Sequence, residues 1–236
     1  MHDLGYERLR IVNDFHAPLE AALLEDRATQ KSAVHAASVL AGATQHETLA
    51  AAIADCTFVV GTTAVGARVL EHPVHTLAAA VPLVERHLTL TPDTRVALLF
   101  GSEKTGLSNE ELSHCHALLT IPMNQRAEPG EPTRHLSMNL GQAAAVCLYT
   151  LAQSEDVSRA PGAETTAPPN AAEEERLTIL LLDLLDRSGY TRRHPANSRE
   201  AVIRRLVRRM ANTSADATVW SGILRQLRHA LGSEPL

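Results

Sequence analysis

Apolar residues in this chain gather into short unbroken runs, and the run ends carry glycine, threonine or proline. Leu9-Arg-Ile-Val12, Thr57-Phe-Val-Val60, Arg95-Val-Ala-Leu-Leu-Phe100 and Ala117-Leu-Leu-Thr-Ile121 are the clearest. Runs of this length without alternation predict strands buried on both faces. Between them lie alanine- and leucine-rich stretches with helical character. The first runs from about Leu19 to Ala41 and ends near Gly42; others span about Thr48–Ala54, His75–His87, Asn109–Cys115 and Asn139–Ala152. Pro82 is expected to split or kink the third of these. The alternation predicts an α/β fold, a mostly parallel sheet with helices on both faces. Ligands of such sheets bind beyond the carboxyl ends of the strands, here Gly61-Thr62-Thr63, Gly101-Ser102-Glu103 and Pro122-Met123.

The pattern then breaks. Residues 154–172 are rich in Pro, Ala, Thr and Glu without periodicity and read as a linker. Three amphipathic helices come next, around Glu173–Arg187 (closed by Gly189), Ser198–Ala211 and Ala217–Leu231. In the second, Ile203, Leu206, Val207 and Met210 form one stripe, with Arg204, Arg205, Arg208 and Arg209 beside or opposite it. The expected organisation is a main domain over 1–153, the linker 154–172, and a helical arginine-rich extension over 173–236. The extension either forms a small bundle or docks on the main domain.

Composition sharpens this in three ways. Aromatic residues are 3 % of the 236, so the core rests on Ala, Leu and Val. Cys56, Cys115 and Cys147 lie apart in apolar context and read as buried thiols of a reducing, cytoplasmic compartment. No spaced His and Cys set suggests a metal site, and no stretch suggests a membrane span or signal peptide. The net charge of −5 conceals an asymmetry: residues 1–186 carry 12 basic and 24 acidic side chains, residues 187–236 carry 10 arginines and 3 acids. An acidic body with a basic tail suits a protein whose tail meets a polyanion; the alternative is a tail that neutralises the body.

Three ordered motifs carry a family resemblance. Gly61-Thr-Thr-Ala64, Phe100-Gly-Ser-Glu-Lys-Thr-Gly-Leu-Ser-Asn-Glu-Glu-Leu112, and Ile121-Pro122 with Leu136-Ser-Met-Asn-Leu140 resemble those of the SPOUT superfamily of knotted RNA methyltransferases. The resemblance is closest to the TrmJ-type tRNA 2'-O-methyltransferases. In the tail, Gly189-Tyr190, His194-Pro-Ala-Asn197 and Ser221-Gly-Ile-Leu-Arg-Gln226 resemble that family's C-terminal extension. The resemblance implies a C-terminal trefoil knot, a homodimer with the active site near its interface, S-adenosylmethionine as cofactor, and tRNA as partner. The implied reaction is methyl transfer to the ribose 2'-hydroxyl of an anticodon-loop pyrimidine. Cofactor-binding positions carry over to Thr62, Thr63, Ala64, Gly101, Ile121, Leu136, Ser137 and Met138.

Taken singly, these residues allow two readings. Gly101 permits close approach of a ligand or simply a turn without room for Cβ. Glu103 beyond a strand end orients substrate or caps the next helix. Thr62 and Thr63 hold a ligand or close an ST-turn. Ser137 and Asn139 open a helix, with N-capping near Asn139 as one reading and, compatible with it, a turn whose amides hold the cofactor while Ser137 or Asn139 faces the ribose; Glu103, Ser137 and Asn139 are the candidate catalytic residues. Arg68, Arg192, Arg193, Arg204, Arg205, Arg208 and Arg209 are the candidate RNA contacts, since arginine matches phosphate through its planar donor fork. Arg126 and Arg134 in the loop 124–134 are weaker candidates.

The family opens with a strand and an Asn-x-Gly-x-x-x-Arg segment at the start of its first helix, whereas Met1–Asn13 resembles the family's chain beyond that helix. The expectation is a start assigned too far downstream, or a truncated homologue with weak or absent catalysis. A non-catalytic RNA-binding homologue is therefore the alternative function. A doubly wound nucleotide-binding metabolic enzyme is a third, disfavoured by the arginine tail and the lack of a Gly-x-Gly-x-x-Gly turn.

Overall fold

The computed structural model describes residues 1–12, 34–64, 70–123, 138–153 and 167–232, with the backbone alone considered for 34–37. The first part of the long alanine-rich helix, Arg68, Arg126, Arg134, Leu136, Ser137 and most of the linker lie outside the described residues.

Among the described residues six strands form, in two sheets. β1 (Arg10–Val12) pairs in parallel with β2 (Thr44–His46). β3 (Phe58–Thr62), β4 (Val74–Thr76), β5 (Val96–Leu99) and β6 (Ala117–Thr120) form a four-stranded sheet in the order β4-β6-β3-β5, all pairs parallel. β6 therefore lies between two strands that precede it in the chain. That topology is consistent with the expected knot; residues 124–137 lie outside the described residues.

The unbroken apolar runs are explained by covering on both faces. Successive side chains of a strand point to opposite sides. Val59 and Leu118 enter one core with Ile53, Cys56, Leu107, Leu112 and Cys115. Val60 and Leu119 enter a second core with Leu77, Ala80, Val84 and Cys147. After α1 (Val34–Ala41), α2 (Leu49–Ala52) contributes to the first core; α3 (Leu77–Leu88) covers the second. α4 (Asn109–Ser113) returns to the first face, and α5 (Leu140–Ala152) to the second. Pro82 sits inside α3 without splitting it.

Helix starts obey capping chemistry. Thr48, Thr76, Ser108, Asn139 and Asn170 each accept a backbone N–H from the first turn of the next helix. Ser108 and Asn170 form reciprocal capping boxes with Glu111 and Glu173. The cap of α4 is thus Ser108, and the capping role considered for Glu103 is not realised.

The tail contains α6 (Ala171–Arg187), α7 (Tyr190–Arg193), α8 (Glu200–Met210) and α9 (Ser214–Gly232). Leu177, Leu180, Leu184, Ile203, Val207, Ala217 and Leu224 form its own core. It both bundles and docks. The boundary expected at 172 falls inside α6, because Ala171 belongs to the core of the sheet and its N–H donates to Cys56 O at 2.8 Å.

Candidate functional site at the carboxyl ends of the strands

Parallel pairing places the ends of β5, β3 and β6 side by side, so Thr62–Ala64, Gly101 and Ile121 share one edge. The structure gathers these residues as the sequence expected, and also fixes what several already do. Thr62 Oγ1 donates to Leu99 O at 2.8 Å, stitching β3 to β5. Thr63 N donates to Leu119 O at 2.9 Å, extending the ladder towards β6, and its hydroxyl donates to Ala64 O at 3.2 Å. Both threonines therefore shape the edge by internal bonds. Ala64 is exposed there and Ile121 half-buried.

Gly101 begins a loop that folds back on itself. Gly106 N donates to Ser102 O at 2.8 Å, and Ser102 and Thr105 hydroxyls lie 2.6 Å apart. A Cβ on Gly101 would stand 2.1 Å from Gly106 C and from Leu107 N. The close approach permitted by this glycine is made by the chain's own backbone. Gly106 turns the loop with φ +67°. Ser102 through Gly106 are all exposed, Glu103 among them, so its carboxylate stands on a solvent-facing loop directly beyond β5. Met138 is half-buried before α5, and Asn139 Oδ1 accepts Gln142 N at 2.8 Å. Asn139 is thus an N-cap in this structure.

The tail arginines divide. Arg192, Arg193 and Arg209 are exposed. Arg204 and Arg208 are a correction to the expected polyanion-binding face. Arg204 is 2 % exposed: its Nε and Nη2 fork onto Glu175 at 2.9 and 3.1 Å, and its Nη1 reaches Glu110 at 2.7 Å and Ser113 Oγ at 2.6 Å. Glu200 closes the remaining side. Arg208 Nε donates to Glu174 at 2.9 Å, and its Nη1 to the carbonyls of Ser113 and Cys115. Burial of a guanidinium without partners is prohibitively costly, so these two serve the seam between tail and body. Arg205 pairs with Glu71.

Sequence reading missed the acids and histidines of that seam. Glu174 Oε1 lies 3.2 Å from His116 Nε2, and His116 Nδ1 accepts Val59 N at 3.0 Å. The bond from Val59 makes Nδ1 the acceptor, so Nε2 carries the proton given to Glu174. Burial opposes ionisation of Glu174, but the bonds from His116 and Arg208 prevail and lower its pKa. Burial, reinforced by Arg204, pushes His114 down to about 4. The available signal was the acid excess of the body, the very charge that the tail neutralises here. Among the described residues no group of three or more His, Cys, Asp or Glu gathers as a metal site, and no helix is long and apolar enough to cross a membrane.

Comparison with known proteins agrees with this arrangement. The tRNA (cytidine/uridine-2'-O-)-methyltransferase TrmJ of Sodalis glossinidius is 29 % identical over 97 % of this chain and 84 % of its own length. The crystal structure of TrmJ from Z. mobilis ZM4 superimposes with a TM-score of 0.73 at 26 % identity, covering 97 % of this chain and 90 % of that one. A putative methylase family protein from Neisseria gonorrhoeae superimposes with a TM-score of 0.55 at 26 % identity over 73 % of this chain and 80 % of its own. The sequence model of the SpoU rRNA Methylase family matches residues 3–149, spanning both cores of the sheet and the three strand-end motifs: the chain belongs to that family.

Proposed function

We propose that this protein transfers a methyl group from S-adenosylmethionine to the ribose 2'-hydroxyl of a pyrimidine in a tRNA anticodon loop. The observation that carries the reading is the meeting of Thr62–Ala64, Gly101 and Ile121 on one sheet edge, in a chain whose relatives are named for tRNA 2'-O-methylation. S-adenosylmethionine supplies a methyl group already activated as a sulfonium. Thr62, Thr63, Ala64, Gly101, Ile121 and Met138, with Leu136 and Ser137, are the residues assigned to hold it. The donor set fits: Ala64, Ile121 and Met138 are apolar, and the two threonines keep their hydroxyls on main-chain carbonyls, so the recognition surface is backbone and hydrocarbon. What remains for the protein is alignment and removal of one proton. Glu103, free of any cap, is assigned to orient the ribose. Exposed Arg192, Arg193 and Arg209 provide phosphate contacts, to which Arg68 is added.

The same reading takes residues 1–153 as the methyltransferase domain and the tail as its extension, within a cytoplasmic homodimer. The dimer is supported by Leu140, Val146 and Tyr149, which stand 41, 36 and 56 % exposed on α5. The test is transfer of tritiated methyl to unmodified tRNA, with nuclease mapping of the product. Label on a 2'-O-methylated anticodon-loop pyrimidine is expected. Cofactor and tRNA binding without transfer would replace this reading by that of a non-catalytic RNA-binding homologue.

A further inference from the structure

The seam between tail and body encloses a second cleft, apart from the strand-end loops. Leu70, Leu112 and Val202 give it apolar walls, the His72 ring lines it, and Arg199 and Arg205 bring guanidinium groups to it. It holds about 120 Å³. Pockets for whole small-molecule cofactors run to roughly 300–1,000 Å³, so this one suits a single base or phosphate.

Its polar groups are incompletely used. His72 Nε2 is buried and has no hydrogen-bond partner among the described residues, a rare condition for a buried polar atom. Burial, with Arg208 and His116 nearby, lowers the His72 pKa, so the ring is neutral and Nε2 is able to accept or donate. Arg199 is exposed and uses its Nε on Ala196 O at 3.2 Å. Arg205 is held by Glu71, a carboxylate 53 % exposed and open to displacement.

We propose that this cleft is a second nucleotide site for the RNA substrate. An unstacked base lies between Leu70, Leu112 and Val202 and against the His72 ring, and the adjoining phosphate meets Arg199 and displaces Glu71 from Arg205. The proposal rests on RNA being the substrate. Single-stranded RNA is read through splayed bases lodged on apolar surfaces with edge-directed hydrogen bonds, and guanidinium forks match phosphate. An acidic peptide would use the arginines but leave both the apolar slot and the neutral imidazole unexplained. The cleft also adds Arg199 and His72 to the residues that meet RNA.

The experiment measures binding of unmodified tRNA to the full chain over a salt series, with S-adenosylmethionine affinity as a second readout. Arg199→Ala is expected to weaken tRNA binding about tenfold and to make the salt dependence shallower by about one phosphate contact. His72→Ala is expected to weaken binding about tenfold with the salt dependence unchanged, since it removes a base contact. Glu71→Gln is expected to act oppositely, tightening binding about threefold because the phosphate loses its competitor. Cofactor affinity stays constant in all three. The proposal is overturned if Glu71→Gln leaves tRNA affinity unchanged or lower, if Arg199→Ala and His72→Ala bind as the unsubstituted chain does, or if an acidic peptide competes with tRNA for the cleft. Should the unsubstituted chain bind tRNA without methylating it, the methyl-transfer reading fails alone and the variants still decide the cleft. Absence of any tRNA binding would remove both.

Discussion

Gly101 and Gly106 bracket the same loop for different physical reasons, and substitution separates them. At Gly101 a methyl group would collide with main-chain atoms of Gly106 and Leu107 at 2.1 Å, and neither can rotate aside. At Gly106 a methyl group meets nothing within 4 Å, and only the positive φ resists it. Gly101→Ala is expected to cost about 3 kcal/mol as overpacking, and Gly106→Ala about 1 kcal/mol, the left-handed penalty. Urea unfolding of the two variants checks the order; equal losses would refute the steric account. The sequence showed two turn glycines and left open what approaches Gly101. The approaching atoms are its own backbone, brought there by a fold-back that depends on the Ser102–Gly106 bridge.

At the scale of elements, α8 is joined to α4 through Arg204, and this contact has a measurable cost. Removing the guanidinium strands Glu175 and Glu110, while the Ser113 hydroxyl keeps its bond to Glu110 O. Breaking a buried pair from one side costs about 3–5 kcal/mol; because Glu110 is 57 % exposed and can rehydrate, Arg204→Ala is expected near the lower end, about 3 kcal/mol. Arg209→Ala, on the exposed side of the same helix, is expected within about 0.5 kcal/mol. Comparable losses in denaturant midpoint would refute the division of the arginines. Periodicity located α8 and its stripe correctly, yet a helical stripe cannot tell a flank that meets another element from one that meets water. The partners of Arg204 on other elements, Glu175 and Glu110, lie 29 and 94 residues away, beyond any local pattern. Short elements were lost for a related reason. β4 has three residues, and His75 read as the opening of a helix because Thr76, the true N-cap, sits between strand and helix without a break. The long runs at β3, β5 and β6 were legible because burial on both faces leaves no polar position to blur them.

For the whole molecule the buried histidines set a pH dependence. Burial lowers the pKa of His72, His87 and His114, the last to about 4. An unfolded histidine titrates near ~6.5, so between that value and the folded one the unfolded chain binds the additional protons. Stability is therefore complete above about pH 7 and declines as pH falls from about 6.5 towards 4. A second decline comes at lower pH. Asp55 is held well below the usual carboxylate range by Arg10, against an opposing burial effect, with Arg95 adding to it; its contribution is present above the unfolded value and lost as pH drops through the folded one. Unfolding midpoints at pH 7.5, 5.5 and 4 measure this, and His114→Gln should flatten the first decline. A constant midpoint from pH 7.5 to 4 would contradict it.

The seam also fixes an order of events during synthesis. Ser113 and Glu110 wait for Arg204, which is made 91 and 94 residues later. At about 5–20 residues per second, roughly five to twenty seconds pass in which α4 has been made without its clasp. During that interval Glu110 and Ser113 on α4 stand without their guanidinium partner. The clasp is thus a late part of the body–tail contact, because its guanidinium lies so far along the chain from α4.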